Sequence, residues 1–130
     1  MSAQIDATKN KTDKYASMVL HYSHNAEKYL KLKDYNKASE MMWGAMSCVL
    51  KTAAAKRNKS INSHKTLGQF AKTLSKQEQD KEIFISFSYG NVLHRNFYES
   101  NLDTVLVKSM CFDVAKTIGK LMRNMKYRAP

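Results

Sequence analysis

Apolar residues recur along this chain at steps of three and four, the spacing that puts them on one face of an α-helix. Tyr15, Met18, Tyr22, Ala26 and Tyr29 form a first such line, with Thr12 or Asp13 placed to cap the helix that carries it. The pattern restarts after Lys33, where Asp34 can cap a second helix whose inner face reads Tyr35, Ala38, Met42, Ala45, Val49 and Thr52, widened by Met41, Trp43 and Met46. A polar stretch from Lys56 to Ser63 ends in a capping serine and leads into a short helix with Leu67, Phe70, Ala71 and Leu74 inward. The segment from Glu78 to Tyr98 is ambiguous, because Ile83 to Tyr89 alternates apolar and polar residues as a strand would. A lone strand would have nothing to pair with elsewhere in the chain, so helix is the expectation. After Ser100-Asn101 the clearest line of all follows: Val107, Cys111, Val114, Ile118, Leu121 and Met125. The expected fold is all-α, an up-and-down bundle of about five helices, with the first two as antiparallel neighbours. Residues 1–11 are polar and aperiodic and are expected to form a flexible tail, which leaves 12–130 as a single helical domain.

Composition sharpens this picture without changing it. A length of 130 residues suits one core, and 43% hydrophobic against 25% charged residues is ordinary for a chain that folds. Four glycines and one proline, Pro130, leave few of the tight turns that all-β folds need. Cys48 and Cys111 each sit inside an apolar helical pattern, which fits packing better than a disulfide framework and implies a reducing, cytoplasmic setting. No run approaches the ~20 apolar residues of a membrane span, and the polar N-terminus lacks the apolar middle of a secretory signal.

Charge narrows the partners. The formal net charge is +11, a field that attracts polyanions such as RNA, DNA and nucleotides. Between Met41 and Gln77 there is no acidic residue, while Lys51, Lys56, Arg57, Lys59, Lys65, Lys72 and Lys76 are all cationic. These seven are the candidate nucleic-acid contacts, concentrated where backbone donors at the Ser63 helix start would also face an anion. A second acid-free stretch carries Lys116, Lys120 and Arg123 along one helical face, expected to be a solvated stripe.

Motifs for other chemistry are missing. His21 and His24 share a helix face, but no Cys/His pair is spaced to complete a zinc site, and no metal or cofactor is expected. The four glycines are isolated, so there is no phosphate loop. The densest polar cluster is Leu93-His94-Arg95-Asn96-Phe97-Tyr98-Glu99-Ser100-Asn101. On a helix, His94 stands one turn from Tyr98 and Arg95 one turn from Glu99, so an imidazole, a phenol and a guanidinium could converge on a phosphate. The plainer expectation is packing of His94 with Tyr98 and an exposed Arg95–Glu99 ion pair.

From Asp13 to Met125 the chain resembles the HEPN superfamily of small helical bundles. The resemblance rests on Tyr29, Tyr35, Ala38, Met42 and Ala45 in the first two helices, on Ser63-His64-Lys65-Thr66-Leu67 opening a short helix, and on Arg95-Asn96 before a closing amphipathic helix. The phrase around Arg95 looks like its form in archaeal branches. The resemblance implies a homodimer and nucleotide or RNA binding at His94, Arg95, Asn96 and Tyr98. In HEPN ribonucleases a histidine follows the arginine after four to six residues; here those positions are Ser100, Asn101 and Leu102, and His94 precedes the arginine. Binding without strong nuclease activity is therefore the leading expectation. The alternatives are a metal-independent ribonuclease using Arg95 with His94 or Tyr98, and a protein-interaction module of a toxin–antitoxin type system.

Overall fold

The computed structural model describes residues 2–130, with the side chains of residues 2–5 left aside. It consists of five helices: α1 (Ser2–Lys31), α2 (Tyr35–Lys56), α3 (His64–Gln77), α4 (Lys81–Glu99) and α5 (Thr104–Asn124). The fold is the all-α bundle the apolar spacing predicts, and the ambiguous segment 83–89 is helical. No helix among the described residues is long and apolar enough to cross a membrane.

Helix α2 is the hub. It packs on each of the other four helices, most extensively on α1, whereas α1 and α5 scarcely meet. Ala38, Met42, Ala45, Val49 and Thr52 are buried as the periodicity requires, and so are Met46, Leu50 and Ala53 around the rest of the helix. A helix hydrophobic on most of its circumference is the one that others surround. In α3 and α5 the expected inner faces are also buried, from Leu67 to Leu74 and from Val107 to Leu121. Cys48 and Cys111 are free thiols within this core, and burial pushes Cys111 up to about 12.

Two expectations for α1 are corrected. Its start is Ser2, not Thr12 or Asp13, so residues 2–11 of the expected tail are helical; Met1 lies outside the described residues. Thr12 is buried inside the helix and donates to the Thr8 carbonyl at 2.7 Å, bonding back to the backbone where a cap would have faced forward. The inner line is also rotated: Thr12, Ala16, Val19 and Ala26 are buried, while Tyr15, Met18, Tyr22 and Tyr29 are only half-buried. Close approach of α1 to α2 explains this, since small residues sit between the helices and the tyrosines flank them. A Cβ at Gly44 would come within 2.8 Å of Tyr22 Cδ1, so glycine there is what lets the ring lie down on α2.

Caps and turns confirm the other helix limits. Asp34, Ser63, Asp80 and Asp103 each accept a backbone N–H of the first turn, and Ser63 and Thr66 complete a reciprocal capping box. Every helix ends in a left-handed residue, Lys33, Asn58, Gln79, Ser100 or Lys126, and none of these is glycine. That is why glycine did not mark the helix ends.

Candidate functional site

The site grows from the meeting of α2, α3 and α4. Asp80 starts α4 with a carboxylate that accepts from Glu82 N, and Lys120 of α5 pairs with the same carboxylate, holding it below its ordinary value. Lys120 is thus a strut between α5 and the α3–α4 turn, which corrects its expected place in a purely solvated stripe. Buried Ser86 and Thr117 share a hydrogen bond of 2.6 Å one step further along the α4–α5 contact. So fixed, α4 presents Gly90 to α2, where a Cβ would lie 2.9 Å from Trp43 Cε3. Only a residue without a side chain lets the indole occupy this contact.

Trp43 is the centre of a row of rings. Its ring centroid lies 5.3 Å from that of His64, 5.4 Å from His94 and 5.9 Å from Phe87. His94 continues the row to Tyr98, edge-on at 5.5 Å, and Tyr98 meets Phe97 at 5.0 Å. Exposure rises along it, from buried Phe87 through half-buried Trp43 and His94 to exposed His64 and to Tyr98, 71% accessible. Glu40, one turn before Trp43, takes His94 Nδ1 at 2.7 Å and so fixes the imidazole plane, leaving Nε2 outside that pair. Beside the row a cavity of about 300 Å³ is lined by Trp43, Ser47, Lys51, Asn62 and His64 among others. The arrangement offers flat faces for a heterocycle and ammonium and imidazole groups for an anion.

The sequence-predicted residues separate here. His94 and Tyr98 are in contact, as expected from their spacing. Arg95 is exposed but forms no ion pair with Glu99, whose carboxylate instead accepts from Asn101 Nδ2 at 3.3 Å; the helix ends at Glu99 and Ser100 turns the chain left-handed. Asn96 faces inward. It is 2% exposed, donates to Ser39 Oγ at 3.2 Å and accepts from Leu102 N at 2.9 Å, tying α2, α4 and the turn before α5 together. Arg95 and Tyr98 face solvent, and Asn96 does not.

The basic region divides in the same way. Lys56 donates to the Met125 carbonyl at 3.2 Å and lies over the Tyr127 ring, and Arg57 caps α2 at the Ala53 carbonyl while pairing with Glu78 at 3.3 Å. Both make these contacts from exposed positions. Lys51, Lys59, Lys65, Lys72 and Lys76 have no ion-pair partner among the described residues. The amides expected to greet an anion at the α3 start are partly spent, since Thr66 Oγ1 accepts from Asn62 N and Ser63 N, and Ser63 Oγ accepts from Thr66 N.

Trp43, Glu40 and His64 are the residues that sequence patterning did not single out as a site. Trp43 reads as part of a wide apolar face and His64 as an ordinary helix opener. The only signal was compositional: Trp43 is the one tryptophan in the chain, sitting three residues after a carboxylate. Among the described residues no three His, Cys, Asp or Glu side chains are grouped as metal ligands.

Compared with known proteins, residues 14–118 match the model of the archaeal PaREP1/PaREP8 family. No curated protein and no solved structure matches the chain.

Proposed function

The chain belongs to the archaeal PaREP1/PaREP8 family, and from that premise we propose that it binds single-stranded RNA or a nucleotide in the cleft around Trp43. The observation that carries this reading is the Trp43 ring row with Lys51 lining the cavity beside it, and with two further exposed cations, Arg95 and Lys65, next in the chain to its His94 and His64. Stacked bases and neutralised phosphates are the two interactions such a surface supplies, and base–aromatic stacking contributes ~1–3 kcal/mol per base. The net charge of +11 brings the polyanion to the surface. The HEPN-like phrase around Arg95 points to the same end of α4.

The lone tryptophan provides the test. Titration with a short single-stranded RNA is expected to quench Trp43 fluorescence with the same midpoint as the anisotropy of the labelled RNA, and to weaken steeply with salt. RNA binding that leaves the fluorescence unchanged and survives Arg95→Ala and His64→Ala would place the ligand elsewhere.

One observation favours a second reading, metal-independent RNA cleavage: the Glu40 carboxylate on His94 Nδ1, an orientation suited to general base work at Nε2. Cleavage of that RNA in the presence of EDTA, abolished by His94→Ala with binding retained, would establish it.

A further inference from the structure

We propose that the trough between α1 and α5 is a docking site for one amphipathic, acid-flanked helix of a protein partner. Both walls lean on α2 and scarcely touch each other, which leaves a cavity of about 650 Å³. Its floor is apolar, with buried Met42 and Cys111 below Leu30. Phe112 lies on its edge, 70% exposed, and further along α5 Val105 and Leu106 are 72% and 43% exposed. An aromatic ring left this open beside an apolar floor is unused by the fold.

Dimensions and charge identify the occupant. The α5 wall runs from Lys108 to Arg123, about 22 Å at 1.5 Å per residue, the length of a helix of about 15 residues. A partner helix laid there would complete a three-helix packing with α1 and α5 and present anchors at helical spacing. The rim carries Lys108, Lys116 and Arg123, whereas its one acidic side chain, Glu27, is already paired with Lys31 at 3.1 Å. Lys108 is steadied over the Tyr35 ring at 5.6 Å. Glutamates or aspartates beside the apolar stripe of the partner would meet these cations. A second copy docked through the same face would oppose them with their own kind in a chain of charge +11. A flat anionic bilayer would satisfy the rim but leave the recessed floor uncovered. Trp43, His64 and His94 do not line the trough, so this proposal stands independently of RNA binding.

The probe is a synthetic amphipathic peptide of about 15 residues, leucines at helical spacing and glutamates on both flanks, followed by fluorescence anisotropy with the full chain. Parent protein and Trp43→Ala are expected to bind it alike. Phe112→Asp, the Lys108→Glu/Lys116→Glu double variant and Ala115→Trp, which fills the trough from an exposed position, are each expected to weaken it at least about tenfold. Circular dichroism and thermal melts identify any variant that fails to fold. Equal binding by all folded variants, or by a peptide with serine in place of leucine, would overturn the proposal. So would a parent that sediments as a dimer dispersed by Phe112→Asp, which makes the occupant a second copy. Phe112-dependent binding to phosphatidylglycerol vesicles with no peptide binding would overturn it in favour of a lipid surface.

Discussion

Met42 and Trp43 are neighbours in sequence and open onto two different surfaces. Met42 forms the floor of an apolar trough between α1 and α5, and Trp43 anchors a row of rings and polar groups between α2, α3 and α4. One residue step turns a helix by ~100°, so the hub helix can serve both. The trough has an apolar floor, and its charged groups stand at the rim. The cleft is built from groups whose positions are set by specific partners: Glu40 holds His94, and Gly90 leaves room for Trp43. The first kind of surface suits shape and charge matching, the second oriented recognition.

The largest effect is expected where the cleft depends on buried polarity. Asn96→Ala would leave Leu102 N without its acceptor, while Ser39 Oγ keeps its bond to the Tyr35 carbonyl, and a buried unsatisfied group costs ~1–3 kcal/mol. A loss of up to about 3 kcal/mol in urea unfolding is expected, with little change at the trough. Wild-type stability would show that the turn before α5 supplies other partners.

Next comes Trp43→Ala, expected to lower RNA affinity by about tenfold or more, while peptide binding at the trough stays as it was. Loss at both surfaces together would mean that the two are coupled through α2.

Smaller and more diagnostic is charge. Lys51→Ala is expected to weaken RNA binding several-fold and to reduce the log–log salt slope by ~1, whereas Lys116→Ala, on the trough rim, leaves RNA binding unaffected. Equal effects would show that the field of the whole chain matters and the cleft does not.

The smallest effect concerns the strut. Because Lys120 holds the Asp80 carboxyl below its ordinary value, the pair adds stability that is fully present above the unfolded carboxyl value of ~3.9 and is lost as pH falls through the lower folded value. Lys120→Met is therefore expected to cost up to about 1 kcal/mol at neutral pH, with the difference from the parent vanishing in acid. A difference that persists at low pH would assign the loss to the lysine's methylenes.

Much of the architecture was legible because helices leave a periodic trace. The inner faces of α2, α3 and α5 and the caps at Asp34 and Ser63 follow from spacing and from the chemistry of one turn. The start of α1 was not legible, since a polar helix without a strong cap carries no such trace. The candidate site was half legible. His94, Arg95 and Tyr98 fall within one helical stretch, but Asn96 looked equally available until its burial placed it against Ser39.

The sequence by itself determined the fold class, the positive field and the wide apolar face of α2. These depend on period, composition and summed charge, which short-range geometry and counting settle. Only the tertiary structure decided that Glu40 holds His94 across 54 residues of chain, that His64 and His94 meet at Trp43, and that Lys56, Arg57 and Lys120 have partners within the chain while Lys51 has no ion pair among the described residues. Contacts between distant segments depend on how helices are rotated and offset in packing. No local pattern encodes that, because each helix presents the same periodic face whichever neighbour it finally meets.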